Sequence, residues 1–450
     1  MRSIIFLLAL CLVMAGTLSS RETVEGKILP YPIYRHVLGN GLTVVTVPFD
    51  SPGIAALYIV VGVGSRNEVE KGVTGFAHFF EHMMFRGTDK YPKEEYQKVL
   101  KSTGASANAN TSNDRTVYHM TGNAAKLDVM FELEADRFKN LNYSVHDFKT
   151  EAGAVKGEYT KNYASPYARI REQWLNTAFD KHTYKHTTMG FFEDIVDMPN
   201  QYEYSRTFFK RYYRPEYSTV VVVGDVTPDR VNELVEKYFG DWESGDYTAE
   251  VPREPVQKET RSVHLQDGSI PPFVCLNYKG PAFSDREIDM PALDVIATIL
   301  FSQNSDLFKK LVIEERKARF IGGGAFDSKD PNLFSIQASL VKKEDMQYVK
   351  DETVKAIEDL IANGVDAKLL ADTKSNLKYR FAMSIDNPDQ IASTLCHYIA
   401  LTGDPETINR VYELYDKVTE DDVKRIAKKY FVPTGLTIAT ISSDEEGGVQ

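Results

Sequence analysis

Apolar residues in the first half of this chain change their spacing several times, and each change marks an element. Runs rich in Val, Ile and Tyr at 42–48 and 54–63 predict strands. From 75 to 85 apolar residues cover every side, which predicts a buried helix. A short helix is predicted at 93–100, and a strand pair rich in Asn, Thr and Tyr at 105–120. The segments 124–141 and 145–162 carry the helical apolar period. A strand at 219–223 closes on the turn Gly224-Asp225. Strands in blocks and helices in blocks predict an α+β fold, with helices on one face of a mostly antiparallel sheet.

The pattern then recurs. Ser65-Arg66-Asn67-Glu68 follows one apolar run, and Ser284-Asp285-Arg286-Glu287 follows another, 219 residues on. Tyr212-Tyr213-Arg214-Pro215 and Tyr430-Phe431-Val432-Pro433 each end a basic amphipathic helix pattern (205–212 and 421–430) and precede a strand-like run, 218 residues apart. Two markers at nearly one offset predict two homologous domains. The polar stretch 244–260, with Pro252 and Pro255, reads as the linker between a first domain at 21–243 and a second at 261–450.

The first twenty residues differ from both domains. Arg2, the apolar run 4–15 and the small residues of 16–20 form the three regions of a signal peptide, and the run is too short to span a membrane. The expected location is therefore outside the cytoplasm, with the bacterial periplasm the first choice. Composition is that of an ordinary globular chain, 42% hydrophobic and 26% charged, and the net charge of −11 argues against a nucleic-acid binder. Once the leader is removed, Cys275 and Cys396 remain, both in apolar contexts that predict buried thiols.

The densest chemistry is His78-Phe79-Phe80-Glu81-His82. Residues four apart share a helix face, so His78 and His82 can aim two imidazoles at one zinc ion. Glu81, beside them, can reach a water on that ion and take its proton. A catalytic zinc needs a third protein ligand and one open position. Glu151 and Glu158 are candidates: seven residues apart on one predicted helix, they face the same way, about 10.5 Å apart along the axis. Glu158 completes a His2Glu set, with Glu151 behind it to orient a ligand. A solvated row of glutamates accounts for the same spacing.

The inverted order H-x-x-E-H, in the context Gly75-Phe76-Ala77-His78 through Gly87-Thr88, resembles the pitrilysin and insulin-degrading-enzyme family, and especially its short-chain branch related to mitochondrial processing peptidase. The likeness extends over nearly the whole mature chain, through the strand around Asn108, the loop from His182-Thr183-Tyr184 to Gly190, and Tyr213-Arg214-Pro215. It implies two homologous α+β domains with Zn2+ on the first, held by His78, His82 and Glu158. Glu81 is then the catalytic base, Glu151 supports a ligand, and Asn108 and Ala109 lie on the strand that holds an extended peptide. The second half carries no copy of the motif: at an offset of 219, His78 falls on Ala297 and His82 on Phe301.

One departure stands out. Active members of the family use an Arg and a Tyr seven residues apart from a second-half-type domain, and here those positions hold Val312 and Arg319, with Phe320 next to them. The resemblance then implies a zinc-dependent endopeptidase acting on peptides inside a chamber, paired with a homologous zinc-free subunit that carries the Arg–Tyr pair. A non-catalytic zinc-binding assembly subunit and a homodimeric peptidase needing no partner are the alternatives.

Overall fold

The computed structural model describes residues 27–446 and 449; the signal-peptide reading lies outside the described residues. The chain forms two sheets. The first has six strands, β1 (Tyr34–Val37), β2 (Thr43–Pro48), β3 (Ile54–Val61), β4 (Ser106–Thr111), β5 (Thr116–Asn123) and β6 (Ser218–Gly224), in the order β1-β2-β6-β3-β5-β4. The second has five, β7 (Arg261–Gln266), β8 (Phe273–Lys279), β9 (Ala318–Ala325), β10 (Leu333–Leu340) and β11 (Leu436–Ser442), in the order β7-β11-β8-β10-β9. Apart from β1, the two orders superimpose strand for strand. Each sheet is antiparallel except for one parallel pair, β2 with β6 and β7 with β11. The duplication seen in the sequence is thus a duplication of topology: β2, β3 and β6 begin at 43, 54 and 218, and β7, β8 and β11 at 261, 273 and 436.

Each half lays its own helices on one face of its sheet. In the first half these include α1 (Phe76–Met83), α2 (Lys93–Thr103), α3 (Leu127–Asn140) and α4 (Val145–Tyr163). Side chains alternate along a strand, so Ala55, Leu57, Ile59 and Val61 of β3 face this layer and share its core with Phe79, Phe80 and Phe131. The intervening residues Ala56, Tyr58 and Val60 face the other way, and there they meet a helix of the second half, Pro388–Thr402, through Ile391, Leu395 and Cys396. The exchange is reciprocal. Helix α5 (Pro166–Ala178) of the first half packs on β7 and β11, where Ile170, Trp174 and Leu175 join Phe273, Ala439 and Ile441. Both faces of β3 and β6 are therefore buried, which explains why their sequences, IAALYIVV and STVVVVG, run almost continuously apolar rather than alternating. Cys275 and Cys396 are buried and unbridged, as expected from their surroundings.

Among the described residues no helix is long and apolar enough to cross a membrane.

Candidate metal centre and active site

Helix α1 is short and almost wholly buried, and its start is gripped from outside the helix. The first N–H groups of a helix have no partner within it. Here the Glu68 carboxylate accepts from the N–H of Gly75 and of Ala77, both at 2.8 Å. Burial pushes the Glu68 carboxyl up to about 8, against the pull of these backbone donors. One residue earlier, Asp194 accepts from the N–H and the hydroxyl of Thr74, at 3.1 and 2.7 Å. Gly75 itself has φ +90°, and a Cβ there would lie 2.5 Å from Ile195 Cδ1, so the entry to the helix has room for glycine alone. At the far end the Tyr118 hydroxyl donates to the Phe80 carbonyl at 3.1 Å.

The helix so fixed aims His78 and His82 toward α4. His82 Nε2 lies 3.2 Å and His78 Nε2 3.7 Å from Glu158 Oε2. One ligand atom from each of the three lies within 4.8 Å of the others. A tetrahedral zinc with bonds of about 2.0–2.2 Å asks for donors about 3.4 Å apart, close to the two distances from Glu158 to the imidazoles. His78 makes the further case. Its ring is buried, and Nε2 is the nitrogen that faces Glu158. Burial, then the neighbouring His82, pushes its pKa down to about 4, so the imidazole is neutral and keeps a lone pair for a metal. His82 is oriented differently: its Nδ1 faces Glu151 Oε1 at 3.0 Å. A proton on Nδ1 donated to Glu151 leaves Nε2 free to face Glu158. Arg86, one turn beyond His82, donates to the other oxygen of Glu151. Burial would raise the Glu151 carboxyl, but its bonds to His82 and Arg86 outweigh that and hold it below the ordinary range.

Glu81 points to the end of β4, where the Thr111 hydroxyl donates to its Oε2 at 2.6 Å. Burial raises its pKa, with the Thr111 bond opposing. Asn108 lines a shallow recess of about 290 Å³ together with Glu81, His82, Arg86 and Glu151. Ala109 is the next residue on β4, and its side chain is buried in the helix-side core, so only its backbone faces a ligand. Strand β4 is the edge of its sheet, paired with β5 on one side.

The loop from His182 serves elsewhere. His182 Nε2 lies 3.0 Å from Asp330 Oδ2, and Arg66 Nε donates to the same oxygen at 2.5 Å. The Tyr184 hydroxyl donates to Asp114 at 2.7 Å, and the Lys329 N–H donates to the other Asp114 oxygen at 3.1 Å. The β9–β10 turn of the second half is thereby bolted to the segments that flank β4 and precede α1. Glu68, Thr111, Arg86 and Asp330 all escaped the sequence reading. Glu68 carried a signal, as the last residue of the repeated Ser-x-x-Glu marker, but one that pointed to duplication rather than to capping.

In the second half Val312 is half-buried against the core, while Arg319 and Phe320 are exposed. Arg316, between them, is the one described non-glycine residue at positive φ, 54°.

Two family descriptions match this chain, Insulinase (Peptidase family M16) over residues 44–190 and Peptidase M16 inactive domain over residues 201–377. The chain is similar to the zinc protease PqqE of Helicobacter pylori, 30% identical over 409 residues that cover 89% of this chain and 90% of that protein. It is 24% identical to the probable mitochondrial-processing peptidase subunit beta of Arabidopsis thaliana, over 92% of this chain and 81% of the other. A crystal structure of a protease from Helicobacter pylori superimposes with a TM-score of 0.84 at 30% identity, covering 91% of this chain and 99% of that one. With a His-His-Glu group where the motif placed it and relatives that span both halves, the chain belongs to the peptidase M16 family, the insulinase and pitrilysin family of zinc proteases.

Proposed function

We propose that this zinc protease is an endopeptidase that takes peptides or unfolded segments as extended strands along β4, with Glu81 as its base and His78, His82 and Glu158 as its zinc ligands. The observation that carries this reading is the position of Glu81: its carboxylate is tied by Thr111 to the end of an edge strand, next to the three converging ligands. When bound, zinc supplies a Lewis acid for a peptide carbonyl and a water acidified toward neutrality. The chain's own groups do the rest. The free edge of β4 offers backbone N–H and C=O groups to an extended peptide, which binds it with little demand on sequence. The Asn108 amide, in the recess beside Glu81 and His82, holds a peptide group of that strand. Glu81 accepts a proton from the attacking water and returns it to the leaving amine. A carboxyl raised by burial suits both halves of that transfer better than an ordinary one. Thr111 holds the carboxylate in place, and Glu151, fixed by Arg86, sets the His82 tautomer.

What this chain does not supply at the expected position is an Arg–Tyr pair to stabilise the developing oxyanion, since Val312 and Arg319 stand there. The proposal therefore includes a homologous zinc-free subunit that provides it. The N-terminal segment 1–20, read as a signal peptide, sends the complex to the periplasm.

The test is Glu81→Gln. It should keep its zinc by elemental analysis and lose cleavage of a quenched peptide library by about 10²–10⁴-fold. Cleavage at the wild-type rate would remove Glu81 as the base. Vigorous cleavage by the isolated wild-type chain would remove the partner.

A further inference from the structure

On the core side of α1 the protein buries a complete ion pair. Arg137 of α3 is 1% exposed, and Glu134, one turn earlier on the same helix, is 0% exposed. The guanidinium Nε and Nη2 both donate to one carboxylate oxygen, Glu134 Oε2, at 3.0 and 2.7 Å. A buried pair of this kind is a poor source of stability. Taking both charges out of water costs about as much as their attraction returns, and apolar groups of similar volume often serve as well. What the cation touches gives another reason for its presence.

Four rings surround it. The guanidinium carbon lies 4.7 Å from the ring centre of Phe85, 4.9 Å from Tyr118, 5.8 Å from Tyr96 and 5.9 Å from Phe138. All are within the reach of a cation–π attraction, about 6 Å. The two nearest rings are both attached to the far end of α1. Phe85 follows His82 by three residues, and its N–H donates to the His82 carbonyl at 3.1 Å. The Tyr118 hydroxyl donates to the Phe80 carbonyl. Beside Arg137, Asp136 accepts from the hydroxyl of Thr88, on the segment that leaves α1. Phe85 also lines the recess that contains Glu81, His82 and Asn108. Helix α1 has only eight residues, too few for its own hydrogen bonds to fix its ends. Glu68 grips the first turn; the rings on Arg137 sit at the last.

We propose that Arg137 is a positioning residue for the metal helix. Its buried charge, kept in place by Glu134, holds Phe85 and Tyr118, and through them it sets where Glu81 and His82 stand relative to Glu158 and Glu151. The inference rests on the zinc site and the role of Glu81 proposed above, and adds to them the device that fixes the end of α1 opposite Glu68. Arg137 touches neither the metal ligands nor a substrate.

The experiment separates holding the helix from holding the fold. Glu134→Leu combined with Arg137→Met replaces both charges by apolar groups, so urea unfolding of the metal-free double variant should match wild type. Its zinc affinity, read by competition with a chromophoric chelator, should nonetheless fall about tenfold, the low end of what a lost support behind metal ligands costs. At saturating zinc, kcat on a quenched peptide should fall about tenfold through the misplaced Glu81, with KM unchanged. Arg137→Lys, which keeps a cation beside Glu134 and the rings, should recover part of the zinc affinity. Wild-type zinc affinity in the double variant overturns the proposal, as does an absence of recovery in Arg137→Lys.

A second pair of variants leaves both charges in place and serves even if the double variant fails to fold. Phe85→Leu and Tyr96→Leu each take one ring from the cation, the first attached to α1 and the second on α2. Phe85→Leu should weaken zinc binding by the same factor as the double variant, and Tyr96→Leu should leave it at the wild-type value. Equal losses overturn the proposal. If the affinities change as stated while wild-type protein cuts no peptide, the peptidase reading fails and the positioning role stands. If cleavage is normal and Phe85→Leu binds zinc like wild type, the positioning role fails alone.

Discussion

The two halves share a strand order, a parallel pair at the same place and an exchanged helix, yet among the described residues only the first gathers a group that could hold a metal. The contrast is sharpest at the Ser-x-x-Glu marker. In the first half Glu68 is fully buried and caps α1 with two backbone bonds. In the second, Glu287 is exposed, and its own N–H is satisfied by Ser284 Oγ. The helix that follows shows the same split. α1 carries His78 and His82, whereas Asp289–Phe301 has Ala297 and Phe301 at the matching offset, with Phe301 packed in the core against Phe334. A duplicated scaffold thus keeps its shape without the ligand residues. Holding two imidazoles and a carboxylate beside a metal requires a helix whose ends cannot shift, and a buried carboxylate is tolerated where it secures that helix.

Removing a ligand should separate the halves most. Glu158→Ala should lose zinc by elemental analysis and lower peptide cleavage by more than about a thousandfold, the scale of several kcal/mol of charge stabilisation. Phe301→Ala, in the second half, should destabilise the chain by about 3–4 kcal/mol while one zinc per chain remains. Zinc retained in the first variant, or lost in the folded second, would break the assignment of the metal to the first half.

The caps come next. Glu68→Ala strands two buried N–H groups and should cost about 2–3 kcal/mol in urea unfolding, whereas Glu287→Ala should stay within about 0.5 kcal/mol. Equal costs would mean that the marker does the same work in both halves.

The smallest effect concerns the bolt between them. The His182 ring nitrogen and the Arg66 guanidinium hold the Asp330 carboxyl well below the usual carboxylate range, against a partial burial that would raise it. Below about pH 4 the unfolded chain therefore binds the proton that the folded chain refuses. The stabilisation is complete above that pH and is lost as pH falls. Metal-free Asp330→Asn should be less stable than metal-free wild type at pH 6, and the difference should shrink by pH 3. A difference that stays constant over that range would show that the Asp330 charge does not join the halves.

Local pattern made much of this legible. The helical period of the apolar residues located α3 and α4, because burial of one face imposes that period whatever the partner is, and continuous apolar runs located β2, β3, β6 and α1. The spacing of His78, His82, Glu151 and Glu158 placed each pair on one helix face, because helix geometry is local. The exchanged helices were not legible. The continuous apolar runs of β3 and β6 signal two covered faces but carry no information about what covers the second. Glu68, Thr111 and Arg86 were missed for a related reason: a cap or a hydrogen bond to a distant side chain leaves no period in the sequence.

By itself, then, the sequence determined the elements, their duplication and the metal-binding residue types, since all three follow from short-range geometry along the chain. Tertiary structure alone decided that Glu158 meets the paired imidazoles, that β4 is an edge beside Glu81, and that Asp330 of the second half meets His182 and Arg66 of the first. Each of these depends on groups far apart in the chain meeting across a packed interface, and that meeting is set by how whole faces fit together rather than by any spacing.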